Sequence, residues 1–220
     1  MTRWAFVADV HGNWSALQRA VAVAEAHGAE RFATLGDLVG RGQPDACVAW
    51  AREVTALAVV GNRDLDHLAL VAPAHRAWLQ ALPRRLVAEA FVLTHGDVAL
   101  DRALCSADGR RGFRRAYAAL RALGRQLWFF GHTHRTGVWR KDALDAPPVA
   151  LPVVDLTLDL RDPAVCYFIN VGTTGRPRTG CGPPAIALFD TATAHLEHVP
   201  LPRADILGRG RARGAGGEQR

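Results

Sequence analysis

Trp4-Ala5-Phe6-Val7-Ala8-Asp9-Val10-His11-Gly12-Asn13 runs from an apolar stretch straight into an acid, a histidine and a glycine. A short apolar run ending this way reads as a buried strand that delivers Asp9 and His11 to a loop at its carboxyl end. Working outward, Ser15 to His27 carries Leu17, Val21 and Ala24 at helical spacing, and Gly28 stops that helix as a C-cap residue does. Strand, polar loop and helix in that order open an α/β fold. Four more apolar runs end similarly: Phe32–Leu35 at Gly36-Asp37, Leu57–Val60 at Gly61-Asn62, Phe91–Leu93 at Thr94-His95-Gly96, and Leu127–Phe130 at Gly131-His132-Thr133-His134. Helical spacing also predicts helices over Asp45–Glu53, over Leu65–Leu82 with a break at Pro73, and over Phe113–Leu123 with Gly124 as its stop.

The chain changes character after His134. Val138–Arg140, Val149–Leu160, Val165–Asn170, Ala185–Phe189 and His195–Val199 read as strands separated by turns. A βαβ start and a β-rich finish predict a four-layer αββα sandwich, with two mixed β-sheets face to face and helices outside. One domain is expected over residues 1–207. The Gly/Arg-rich stretch 208–220 has nothing to bury and is expected to be a disordered tail. No internal repeat is visible.

Composition narrows the class. Apolar residues make up 49% of the chain, enough for a sizeable core, yet no run reaches the roughly 18 residues of a membrane span. The N-terminus shows no secretory pattern, so a cytoplasmic protein with no membrane partner is expected. Cys47, Cys105, Cys166 and Cys181 have no Cys-x-x-Cys spacing and read as thiols in a reducing compartment. The formal charge is +6, and Lys141 is the only lysine. A GC-rich genome that favours arginine explains this better than nucleic-acid binding, although Arg110, Arg111, Arg114 and Arg115 cluster and Arg209, Arg211 and Arg213 lie in the tail.

The ends of the apolar runs collect seven residues that bind cations: Asp9, His11, Asp37, Asn62, His95, His132 and His134. Each alone has a plain reading. Asp9 could cap a helix, Asp37 and Asn62 fit turns, and a lone histidine is usually a satisfied hydrogen-bonding residue. Together they form a mixed oxygen and nitrogen donor set without thiolate, suited to Mn, Fe, Zn, Ni or Co rather than Ca. Two such ions about 3.5–4 Å apart would bind phosphoryl oxygens and acidify a bridging water, the two requirements for hydrolysing a phosphate ester. His195 and His198 sit three apart on a strand-like run, where that spacing does not converge on a metal.

These motifs, in this order, resemble the calcineurin-like metallophosphoesterase superfamily over roughly residues 3–175, and its small bacterial branch most closely. Asp9-Val10-His11-Gly12-Asn13 and Asn170-Val171-Gly172-Thr173-Thr174-Gly175-Arg176-Pro177-Arg178 carry that likeness, with Val171 where the branch has Pro. The resemblance implies the αββα fold and two divalent or trivalent transition-metal ions. It implies Asp37 as the bridging ligand, Asp9, His11 and His134 beside it on one metal, and Asn62, His95 and His132 on the other.

Two departures bear on the chemistry. Many members of the family place a histidine acid after the asparagine ligand, and here that residue is Arg63. An arginine stays protonated and cannot serve as that acid, but it can hold a phosphate oxygen. Arg41, in Gly36-Asp37-Leu38-Val39-Gly40-Arg41-Gly42, resembles the arginine of a related Asp-Arg-Gly motif. Arg41, Arg63 and Asn13 are the expected phosphate contacts, unless the two arginines pair with Asp45 or Asp64. Asp37, Asn62, Arg63 and His95 are the expected catalytic group. The expected activity is hydrolysis of phosphodiester, phosphoanhydride or phosphomonoester bonds by in-line attack of a metal-bridging hydroxide. The substrate would be a phosphorylated small molecule or a nucleotide, with Gly96–Gly124 as a wall of its site. Alternatives are a non-catalytic scaffold of the same fold and a nucleic-acid-processing phosphoesterase.

Overall fold

The computed structural model describes residues 2–97 and 110–202. The Gly/Arg-rich tail, the side chain of Arg110 and the stretch 98–109, which includes Cys105 and part of the expected substrate wall Gly96–Gly124, lie outside the described residues.

Two six-stranded sheets carry the fold. The first has the order β3-β2-β1-β11-β12-β9, formed by β1 (Arg3–Val7), β2 (Arg31–Thr34), β3 (Thr55–Ala58), β9 (Leu156–Thr157), β11 (Ala185–Asp190) and β12 (His195–Pro200). The second has the order β4-β5-β6-β10-β7-β8, formed by β4 (Arg85–Val87), β5 (Val92–Thr94), β6 (Leu127–Phe130), β7 (Thr136–Lys141), β8 (Val149–Leu151) and β10 (Cys166–Val171). Both are mixed. β1, β2 and β3 run parallel, as do β5, β6 and β10, while the outer pairings are antiparallel. Among the described residues the helices are α1 (Trp14–Ala26), α2 (Pro44–Val54), α3 (Asn62–Asp66), α4 (Pro73–Ala81) and α5 (Arg110–Ala122), with a 3-10 turn at Leu68–Leu70.

Period-two alternation builds the layers. Trp4, Phe6 and Ala8 point inward with Phe91, Leu127, Phe129, Ile169 and Phe189, forming the core between the sheets. The rings of Phe6 and Phe129 stack across it at 4.1 Å. Ala5 and Val7 point outward and pack with Leu17, Ala20 and Ala24 of α1 and Val48 and Ala51 of α2. On the far side, Trp128, Phe130 and Phe168 meet Phe113, Ala116 and Leu120 of α5. The layer order is helix, sheet, sheet, helix, as the sequence predicts.

Differences from the sequence reading are local. Val149–Leu160 is not one strand: Pro152 breaks it, leaving β8 on the second sheet and β9 on the first. β3 begins at Thr55, directly after α2, where the apolar run predicts Leu57. Asn13, rather than Asp9, caps α1, its side-chain oxygen accepting the Ala16 N–H at 3.1 Å. Cys47, Cys166 and Cys181 are free thiols, and burial pushes Cys47 and Cys166 up to about 12. Among the described residues no helix is long and apolar enough to cross a membrane.

Candidate metal centre

The parallel strands of the two sheets end at a common edge. Asp9 and His11 follow β1, Asp37 follows β2, Asn62 follows β3, His95 follows β5, and His132 and His134 follow β6. A hydrogen bond ties the sheets together here, with the His132 backbone N–H donating to Asp9 Oδ2 at 2.8 Å.

The loops that present these side chains are bent sharply. Among the described residues six non-glycine residues have left-handed backbone, and five of them are Asp9, His11, Asp37, His132 and His134. Each such conformation costs on the order of 1 kcal/mol, tolerated where the surroundings enforce it. Close nesting of the loops does so here. A Cβ on Gly61 would lie 2.2 Å from Asp37 Oδ1, and one on Gly36 would lie 2.4 Å from the Gly61 nitrogen. Only glycine lets the β2 and β3 loops approach this closely.

The side chains converge in two groups. Asp9, His11 and His134 each offer a ligand atom within 4.8 Å of the others, and so do Asp9, Asp37 and His95. The Asp37 carboxylate spans the pair, with Oδ2 3.8 Å from His11 Nε2 and Oδ1 3.4 Å from His95 Nε2. Asp9 Oδ1 lies 3.1 Å from His134 Nε2 and 3.6 Å from His11 Nε2. Asp9 therefore belongs to both groups, although the resemblance assigns the shared position to Asp37 alone. His132 Nδ1 faces His95 Nε2 at 3.1 Å. Asn62 begins α3 with an exposed side chain, and its neighbour Arg63 donates its backbone N–H to Asp37 Oδ1 at 2.7 Å.

Three features fit these residues to cations. His95 Nδ1 donates to the Leu35 carbonyl at 2.7 Å and His134 Nδ1 to the Arg176 carbonyl at 2.5 Å, leaving each Nε2 aimed at the carboxylates. That second hydrogen bond is the usual support of a ligating histidine. Asp9 Oδ1 is buried with no hydrogen-bond donor. Imidazole nitrogens face each other across 3.1 Å and 3.2 Å, in the His95–His132 and His11–His134 pairs. Ring nitrogens that meet this way are well matched to a shared positive charge.

The electrostatics agree. Burial works to raise Asp9, but contacts with His11 and His134 and the nearby His95 hold it well below the usual carboxylate range. Burial works to lower His95, yet Asp37 and Asp9 push it up to about 9. His132 is lowered by burial and by the neighbouring His95. Two carboxylates strong enough to draw a proton onto buried imidazole would equally hold a dication, which in turn keeps the imidazoles neutral.

Beside the cluster lies a cleft of about 840 Å³, lined by His11, Asn13, Trp14, Arg41, Arg63, His67, Leu70 and Arg176 among others. The Arg41 and Arg63 side chains are exposed. Arg63 is 4.0 Å from Asp66, and the acids considered as partners are engaged elsewhere. Asp45 binds His75 at 2.7 Å, and buried Asp64 takes backbone N–H groups. Both ends of the Asn13 amide serve the fold, Oδ1 in the α1 cap and Nδ2 on the Gly175 carbonyl at 2.9 Å.

Sequence reasoning did not find the bracing role of four residues that shape this edge. Asp64 gathers the β2 and β3 loops. Asn170 donates to the Gly131 carbonyl at 3.1 Å and Thr133 Oγ1 at 2.8 Å, bracing the loop that carries His132 and His134. Thr173 Oγ1 donates to the Asp9 carbonyl at 2.9 Å. Arg176 fixes His134 through its backbone carbonyl and is among the residues that line the cleft. The segment 170–178 marked the last three, but hydrogen bonds over more than thirty residues leave no local pattern.

Comparison with known proteins gives a consistent result. The family description "Calcineurin-like phosphoesterase superfamily domain" matches residues 3–194. The crystal structure of a metallophosphoesterase from Sphaerobacter thermophilus is similar, with a TM-score of 0.70 at 25% identity over 91% of this chain and 88% of that one. An archaeal phosphodiesterase shares the fold, with a TM-score of 0.55 at 17% identity over 90% of this chain and 99% of that one. A 61-residue stretch is 38% identical to the uncharacterized protein MJ0912 of Methanocaldococcus jannaschii, covering 27% of this chain and 25% of that protein.

Proposed function

The chain belongs to the calcineurin-like phosphoesterase superfamily, and we propose from that premise that it hydrolyses phosphoric esters or anhydrides with two transition-metal ions. The observation that carries this reading is the Asp37 carboxylate, whose two oxygens face His11 on one side and His95 on the other at 3.8 and 3.4 Å. A carboxylate placed so can serve two cations at once. Asp9, His11 and His134 would complete one site, and Asn62, His95 and His132 the other. Bound there, the ions supply Lewis-acid charge to the phosphoryl oxygens and acidify a water for attack. Manganese is a suitable ion, as are iron, zinc, nickel and cobalt.

The chain's own residues do the positioning. Arg63 and Arg41 line the cleft beside His11, where guanidinium groups would hold non-bridging oxygens as charge builds on them. Neither can donate a proton to a leaving group at neutral pH. Bonds whose leaving group is already a weak base are therefore preferred: phosphoanhydrides and activated diesters over alkyl monoesters.

The test is metal analysis of the purified protein, then rates on monoester, diester and nucleotide substrates with Mn²⁺ and after chelation. Two metals per chain and chelator-sensitive hydrolysis are expected. Full metal loading with no hydrolysis of any substrate would favour the scaffold reading instead.

A further inference from the structure

The arginines of the cleft outnumber what one phosphoryl group requires. Arg41 follows the β2 loop, Arg63 lies in α3 and Arg176 follows β10, so three separate segments bring an arginine to the lining of one space of about 840 Å³. Among the described residues the Arg41 and Arg176 side chains make no ion pair or hydrogen bond, and Arg63 has only Asp66, at 4.0 Å. A phosphoryl group at the metal cluster is already served by that cluster. The remaining cationic charge matches a second phosphate. The same cleft carries an apolar surface: the half-buried Trp14 indole at the start of α1 and Leu70, 48% exposed, beside His67. An exposed leucine and an indole next to three arginines fit a ligand with a planar ring at one end and a phosphate chain at the other. The volume falls within the range of sites for ligands of that size.

We infer that the cleft binds a nucleoside di- or polyphosphate, with Arg176 gripping a phosphate beyond the one at the metals and Trp14 and Leu70 receiving the base. This rests on the phosphoesterase reading. The step splits one P–O–P link. Water oxygen forms the new bond to phosphorus, and the anhydride oxygen departs with the electron pair of the broken bond. Water's protons pass to the product phosphates or to solvent. The leaving phosphate is stable as an anion, so the reaction needs no acid where Arg63 stands.

Calorimetry on the Mn²⁺-loaded protein tests this with AMP, the methylene-bridged analogue of ADP, and methylenebisphosphonate. Hydrolysis of bis(4-nitrophenyl) phosphate is followed in parallel. The ADP analogue should bind at least about tenfold tighter than AMP. Arg176→Ala should weaken the analogue by about five- to tenfold and AMP by less than twofold, the loss of one exposed charge-assisted contact. Leu70→Ser should weaken the ADP analogue and leave methylenebisphosphonate unchanged. The inference is overturned if the analogue binds no tighter than AMP, or if Arg176→Ala weakens both alike. Equal affinity for methylenebisphosphonate and the ADP analogue would also overturn it, making the ligand an inorganic phosphate chain. Hydrolysis of the nitrophenyl diester without the affinity ladder defeats this inference alone. The ladder without hydrolysis of any ester or anhydride defeats the phosphoesterase reading and leaves the nucleotide site standing.

Discussion

Asp64 Oδ2 accepts the backbone N–H of Asp37 at 2.9 Å and that of Gly61, also at 2.9 Å, while Oδ1 accepts the N–H of Val39 at 2.9 Å. One fully buried carboxylate thus fastens the β2 loop to the β3 loop and sets where the Asp37 side chain emerges. Burial pushes Asp64 up to about 6, against the pull of the Val39 and Gly61 N–H groups, and the three N–H donors that converge on it favour the carboxylate.

Asp64→Asn should therefore act on metal retention as well as on stability. An amide keeps one oxygen acceptor and turns a donor toward N–H groups that need an acceptor. A buried hydrogen bond to a charged group contributes about 1.5–3 kcal/mol, so a clear drop in thermal midpoint is expected. Supports of metal ligands typically alter metal affinity by about 10–100-fold. Thermal unfolding with and without Mn²⁺ checks both. A variant equally stabilised by Mn²⁺ would mean that Asp64 holds the fold but not the ligands.

Asp37→Asn should cost more activity than removal of a ligand that serves one group only, such as His134. Its carboxylate faces both histidine groups, whereas His134 belongs to one of them. His134→Ala should leave partial metal occupancy, and Asp37→Asn should lose occupancy at both positions, with turnover falling by at least about 100-fold. Metal content and rate measured together decide this. Two metals per chain and near-normal turnover in Asp37→Asn would remove the bridge.

The sequence made the layers legible and most of the local bracing invisible. Trp4-Ala5-Phe6-Val7 alternates between the two cores it serves, and all five apolar runs end at the shared edge as their terminal residues predict. Those signals are local. Val149–Leu160 failed because a run of strand-forming residues does not say which sheet takes each half. Asp64 lay within a quoted motif and still read as an ion-pair partner, since only the fold brings three backbone N–H groups to it. The Asn13 bond to the Gly175 carbonyl joins segments 162 residues apart, which no local pattern marks. The left-handed backbone at Asp9, His11, Asp37, His132 and His134 is likewise enforced by contacts between loops, which no propensity encodes.

Arg63 separates two kinds of assistance. If its guanidinium grips phosphate in the ground state, Arg63→Ala raises KM. If it acts only as charge develops, kcat falls instead. Arg63→His restores an acid, and it should speed poor leaving groups by about 10²–10⁴-fold where the missing proton limits the rate, while nitrophenyl esters change little. Steady-state kinetics on one alkyl and one nitrophenyl ester give the answer. No change in either constant for Arg63→Ala would reduce it to a surface charge paired with Asp66.

His198 should make the fold sensitive to mild acid. Its Nε2 donates to the Asn170 carbonyl at 2.9 Å, and its Nδ1 is buried with no hydrogen-bond partner. Burial lowers it from 6.5 to about 4, outweighing the upward pull of the Asn170 carbonyl. A histidine whose folded-state value is depressed stays neutral in the fold while the unfolded chain takes up a proton. Stability is then full above about pH 6.5 and is lost as pH falls toward about 4, by up to about 3 kcal/mol at 1.36 kcal/mol per unit. Protonation would also place an N–H on Nδ1 with nothing to receive it, next to the segment that braces the His132 and His134 loop. His198→Gln keeps a donor for Asn170 and cannot titrate. Thermal midpoints of both proteins between pH 7.5 and pH 4.5 should diverge, with the wild type falling several degrees further. Parallel curves would show that carboxylates elsewhere, and not His198, govern the acid limit.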